Sequence, residues 1–211
     1  MRKFELIVGL IATFGIFLKI KHYPLSAEFI ILFFCLLSWF YLVFSFALFN
    51  GVRFRDIFKK SAYKDATPKK IIGAIGLGWG LSVIINGGLF KLVLYPGAQP
   101  MLLVGLLHIG IILVVAIVYY FRNKSDYYKR IFKRIAIYGA FGLTLYLIPT
   151  TTFLKIYYAN NRFYTEHPDF SEHFKKVLAD PNNQELIKQL EELGRELDQM
   201  KFEKWLEEKN D

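Results

Sequence analysis

Five apolar runs, at residues 6–18, 29–49, 71–90, 101–121 and 135–154, constrain this 211-residue chain more than any other feature. A helix needs roughly 20 apolar residues to cross the hydrocarbon core of a bilayer, and the last four runs reach that length. The first is short, but reaches it if Lys19 and Lys21 extend their stems to the headgroups and His22 and Tyr23 sit among them. Arg2 and Lys3 resemble the start of a signal peptide, yet Leu25, Ser26 and Ala27 make a poor cleavage site, so the run is read as retained. The expected fold is all-α. It is a polytopic transmembrane helix bundle of about five spans over residues 1–158, followed by a charged, soluble helical tail at 159–211.

The charge distribution supports this reading. Residues 1–154 hold 18 Lys+Arg and 5 acids, whereas residues 155–211 hold 9 and 13. The basic excess falls between hydrophobic runs, where it marks topology and contact with an anionic inner leaflet rather than a nucleic-acid surface. Segments 50–70 and 122–134 carry seven and six basic residues and are separated by two runs, so both can be cytoplasmic. The uncharged turn at 95–100 then faces outward, the N-terminus lies inside, and an odd number of spans delivers the tail to the periplasmic side. Cys35 is the lone cysteine, which leaves no intrachain disulfide and no thiolate metal cluster.

The chain also repeats itself. GIFLKIKHYP at 15–24 aligns without a gap on GGLFKLVLYP at 87–96, pairing Lys19 with Lys91, Tyr23 with Tyr95 and Pro24 with Pro96. FLKI at 17–20 recurs at 153–156, and FRDIFKK at 54–60 is echoed by YKRIFKR at 128–134. The unit is an outward helix, a lysine at its end, a Tyr-Pro turn, an inward helix and a short amphipathic helix on the inner interface. In the two amphipathic segments Phe54, Ile57 and Phe58, and Tyr128, Ile131 and Phe132, are expected to face lipid. Repeat 1 covers about 5–60, repeat 2 about 71–134, and a half repeat 135–158. The lysines suit helix C-termini, the tyrosines anchor at the interface, and Gly97 after Pro96 permits a tight reversal. A second possibility is a basic ring formed by Lys19, Lys91 and Lys155 at one depth.

At this motif the sequence resembles the transmembrane hairpin of the Bacteroidota gliding-motility protein GldL. The residues that carry the resemblance are Phe90, Lys91, Tyr95, Pro96, Gly97 and Ala98, continuing into Met101, Leu102, Gly105 and Leu106. The first repeat supplies Lys19, His22, Tyr23 and Pro24. The resemblance implies a bacterial inner-membrane protein of that phylum. It also implies where the motor family keeps its acidic residue, and here that position is Ile109, beside His108. Without that carboxylate a proton-driven motor role is not expected.

Ionisable groups inside a membrane are functional candidates by default. Glu28 could pair with Lys19 or Lys21. His108 could titrate, or hydrogen-bond a neighbouring helix. Asn86 and the threonines at 150–152, after Pro149, can bond across helices. Glu5 could pair with Arg2 or Lys3. GAIGLG at 73–78 lies inside an apolar run with no strand before it, so it reads as helix packing. No catalytic, metal or cofactor constellation emerges, and an enzyme is not expected.

In the tail, residues 167–179 read as a short helix capped near Asp169 or Ser171, and Asp180-Pro181 ends it. Asn182 or Asn183 caps a second helix, whose Leu186, Leu190, Leu193, Leu197 and Met200 form one apolar seam. That seam can pack on the chain itself or dock a partner or second copy. Two functions are therefore in view: a non-catalytic scaffold or accessory subunit, or a small ion, proton or solute transport component.

Overall fold

The computed structural model describes every residue except His22, Pro24, Asp65, Asn160, Asn182 and Asp211, and not the side chains of Arg2, Trp205, Glu208, Lys209 and Asn210. His22 and Pro24 of the turn motif thus lie outside the described residues. The described residues form nine α-helices and no strand: α1 (Arg2–Ile20), α2 (Ser26–Asn50), α3 (Pro68–Leu92), α4 (Ala98–Arg122), α5 (Asp126–Leu147), α6 (Thr150–Leu154), α7 (Arg162–Thr165), α8 (Pro168–Ala179) and α9 (Gln184–Asn210).

Local chemistry sets the helix ends. Pro68 occupies the first turn of α3, where its missing N–H costs nothing, and Thr67 accepts a hydrogen bond from the Lys70 amide. Gly51 closes α2 in the left-handed conformation (φ 79°), and the Val52 amide reaches back to the Ala47 carbonyl. The two turns at the opposite end match at their described positions. Helix α2 begins and ends 72 positions before α4, and α1 ends 72 before α3. Leu25 (φ 60°) and Gly97 (φ 85°) both precede their helix in the left-handed region, and the Tyr23-to-Leu18 and Tyr95-to-Phe90 backbone bonds are equivalent.

Helix α3 is the centre of the bundle and packs against α2, α4 and α5. Leu77, Leu81, Ile84 and Ile85 form its fully buried stripe. Small residues bring the backbones close: Gly78 lies against Ser45 and Tyr41 of α2, and Ser38 and Ser82 hydrogen-bond through their hydroxyls at 2.6 Å. Three helices, α2, α3 and α4, are long and apolar enough to cross a membrane, and a fourth span results if the bent pair formed by α5 and residues 150–159 counts as one. Helix α1 carries four charged residues in 19, which dilutes its apolar character.

Three local expectations are corrected. The segment 128–134 is no separate interfacial helix, because nothing breaks the chain between Asp126 and Leu147; it forms the first turns of α5. Its Tyr128 and Ile131 are buried in the protein rather than turned to lipid, with the Tyr128 ring against Tyr120 and Tyr127. The segment 54–60 folds as short 3₁₀ turns at Phe54–Asp56 and from Lys60 on. Phe54 packs among Phe4, Phe40 and Phe44, and only Phe58 is wholly exposed. The run 135–154 is not one straight helix. Pro149 lacks the N–H needed to continue α5, Ile148 is extended, and the chain turns by 87°.

Candidate functional site

The end of the bundle that carries the α1–α2 and α3–α4 turns gathers most of the polar residues with unusual surroundings. Lys91 is buried near the end of α3, only 2% exposed, and its Nζ donates to Thr150 Oγ1 at 3.0 Å. Tyr157, in the π-helical turn Lys155–Ala159, donates to the Leu92 carbonyl at 2.9 Å. Lys19 is half-buried, with its Nζ 5.2 Å from the Tyr157 ring centre, a cation–π placement. Lys155 is exposed, so the three lysines sit in three different environments. The right-angle bend after α5 lays the π turn across this end.

The tail folds over the same place. Tyr158 packs edge-on against Tyr164, Phe170 and Phe174, and Gly194 of α9 meets the Tyr158 hydroxyl, where a Cβ would stand 3.1 Å away. Tyr164 donates to the Asp198 carboxylate, and His173 and Gln189 bond at 2.9 Å between α8 and α9. Helix α8 starts at Pro168 with His167 as its N-cap, two residues before Asp169 and four before Ser171, while Asn183 Oδ1 caps α9 by accepting from the Leu186 amide. The buried face of α9 runs through Ile187, Leu190, Gly194 and Leu197. Leu186 and Leu193 flank it half-buried, and Met200 is 50% exposed.

Between α9 and the hairpin turns lies a cavity of about 620 Å³, bordered by Lys19, Tyr23, Glu28, Tyr95, Tyr157 and Glu191 among others. Glu28 is exposed at its rim, with no ion pair to Lys19 or Lys21 within 4 Å. Burial pushes the Glu191 carboxyl up to about 7, against the opposing pull of Lys19 and Arg195, and burial likewise raises Asp198. A carboxyl raised above its usual value binds its proton more tightly when docked. Tail docking should therefore be strongest below pH ~4.5, the ordinary glutamate range, and weaken as pH rises towards about 7. Limited proteolysis of the tail checks this: cleavage should be faster at pH 8 than at pH 5.5, after correction for protease activity on an unfolded substrate.

The remaining candidates sit elsewhere. His108 Nε2 lies 2.9 Å from the Gly76 carbonyl, and its ring meets Trp79 edge-on, so it links α4 to α3. Ile109 is buried beside Gly80. Asn86 is half-buried in α3, and Pro96 and Gly97 are exposed in the second turn. At the basic end of the bundle, Glu5 pairs with Arg134 rather than with its neighbours in α1, because α5 brings that guanidinium into the bundle. Arg134 Nε donates to Glu5 Oε1 at 2.9 Å, Nη2 donates to Oε2, and the Tyr41 hydroxyl also donates to Glu5. No sequence pattern links residues 129 apart; the only signal was an acid and a base in apolar surroundings.

These features define a helical membrane protein with a folded-back tail. Residues 76–135, from mid-α3 through α4 into α5, match the GldL N-terminal domain family, so the chain resembles GldL over little more than a quarter of its length. No curated protein and no solved structure matches the chain.

Proposed function

We propose that the chain is a non-catalytic scaffold or accessory subunit of a bacterial inner membrane, with five spans, a cytoplasmic N-terminus and a periplasmic tail. The observation that carries this reading is Ile109. It is apolar and buried, 3% exposed, where the resemblance to GldL would put the motor's acid. Its neighbour His108 is engaged with a backbone carbonyl, which favours packing over proton relay. Five spans, in two and a half repeats, are supported by the matching boundaries of the two hairpins: α1 ends 72 residues before α3, at the equivalent position of its repeat. The tail is held by the chain itself through Leu190 and Leu197, leaving Met200 and Leu206 available to a partner.

Two measurements test the reading. Purified protein in proteoliposomes with an internal pH dye should pass protons no faster than empty vesicles. A flux abolished by His108→Leu would establish transport instead. Photo-crosslinkers replacing Met200 and, as a control, exposed Thr13 should capture one defined membrane partner or a second copy from the tail position only. Equal patterns from both positions would overturn the scaffold reading.

A further inference from the structure

The cavity at the turn end holds charges of both signs that do not touch one another. Lys19 and Arg195 supply the positive side, and Glu28, Glu191, Glu192 and Glu196 the negative side. None of these six makes an ion pair within 4 Å or a side-chain hydrogen bond among the described residues. Side chains of opposite sign facing one space without touching leave room for a molecule that carries both signs. The volume, about 620 Å³, is within the roughly 300–1,000 Å³ usual for small-molecule sites.

The walls narrow the choice. A simple anion would meet an excess of carboxylates, Asp198 included, and a simple cation would meet Lys19 over the Tyr157 ring. A zwitterion avoids both conflicts, with phosphate towards Lys19 and Arg195 and ammonium towards the glutamates and tyrosine faces. Leu25, 75% exposed, and the half-buried Ala27 and Ile31 line the α2 side, where the cavity meets the apolar surface of that helix. Acyl chains attached to the headgroup would continue along that surface.

We propose that the cavity between α9 and the hairpin turns binds the headgroup of a zwitterionic phospholipid, so that the tail closes over a membrane lipid. This rests on the bundle spanning a bilayer, but not on the scaffold role. The Glu191 carboxyl, which Lys19 and Arg195 offset only in part, then gains a further counterion from the ligand.

The test uses the full chain in nanodiscs, followed by native mass spectrometry of retained lipid. Phosphatidylethanolamine should be retained over phosphatidylglycerol by roughly tenfold, the worth of one charge-assisted contact. In the triple variant Glu28→Gln, Glu192→Gln, Glu196→Gln, whose changes lie on exposed positions, that preference should disappear. Arg195→Gln should weaken retention of both lipids. Equal retention of the two lipids by the wild type, or an unchanged preference in the triple variant, would overturn the proposal. So would displacement of the lipid by an equal concentration of free phosphoethanolamine, which would identify a soluble ligand. Failure of the chain to enter nanodiscs at all would instead remove the membrane reading beneath it.

Discussion

Replacing Arg134 with alanine is expected to destabilise the bundle by roughly 3–5 kcal/mol, because it strands the Glu5 carboxylate in the protein interior. Both side chains are almost buried, 8% and 12% exposed, and the guanidinium covers both carboxylate oxygens while lying 5.2 Å from the Phe49 ring centre. The cost arises from the uncompensated charge rather than from the pair's net worth. Glu5→Met combined with Arg134→Met should therefore recover most of the loss. Thermal unfolding in detergent, followed by helical circular dichroism, measures both. A single variant within about 1 kcal/mol of wild type would mean that the pair is solvated and does not join α1 to α5.

The second large effect is expected at Gly78. A Cβ there would stand 2.2 Å from the Ser45 Cβ and 2.6 Å from the Tyr41 carbonyl oxygen, and the carbonyl is backbone that cannot rotate away. Gly78→Leu should force α2 from α3 and cost at least the roughly 1–3 kcal/mol of ordinary overpacking. Gly110→Leu in α4 is the matched control, since nothing lies within 4 Å of its added Cβ. A disulfide between Ser38→Cys and Ser82→Cys, made in a Cys35→Ser background, reports the helix separation. It should form readily in the parent and poorly with Gly78→Leu; equal formation would show that the close approach at Gly78 is not needed.

Helix positions were legible because bilayer-length apolar runs carry their own boundary signals. Gly97, expected to permit a tight reversal, marks one such end. Residues 54–60 and 128–134 misled because an amphipathic pattern does not say which apolar partner will cover it. Lipid was one choice; Phe4 and Phe40 for the first segment, and Tyr120 for the second, were others. At the cavity, Lys19, Glu28, Tyr23 and Tyr95 stood out in the sequence, since charge and aromatic residues at a span end are conspicuous. Glu191 and Arg195 did not, because they look like ordinary surface charges of an amphipathic helix until the tail folds back. Gly194 was passed over for the leucines around it, although a glycine within a regular seam signals a ring packed closely against the helix.

The break at Pro149 also bears on the surrounding lipid. Helices α2 and α4 have 25 residues each, about 37 Å at 1.5 Å per residue. In α5 the apolar stretch after Arg134 is cut off at Leu147, and 13 residues rise only about 20 Å, well short of a hydrocarbon core of roughly 30 Å. The apolar band is therefore shorter beside α5 than beside α2 and α4, whose apolar runs of 21 residues rise about 31 Å. A bilayer meeting both flanks has to thin beside α5 or tilt the whole protein, at a cost of fractions of a kcal/mol per Å. Such an uneven perimeter sorts a protein towards thin membrane and draws together molecules that share the same short side.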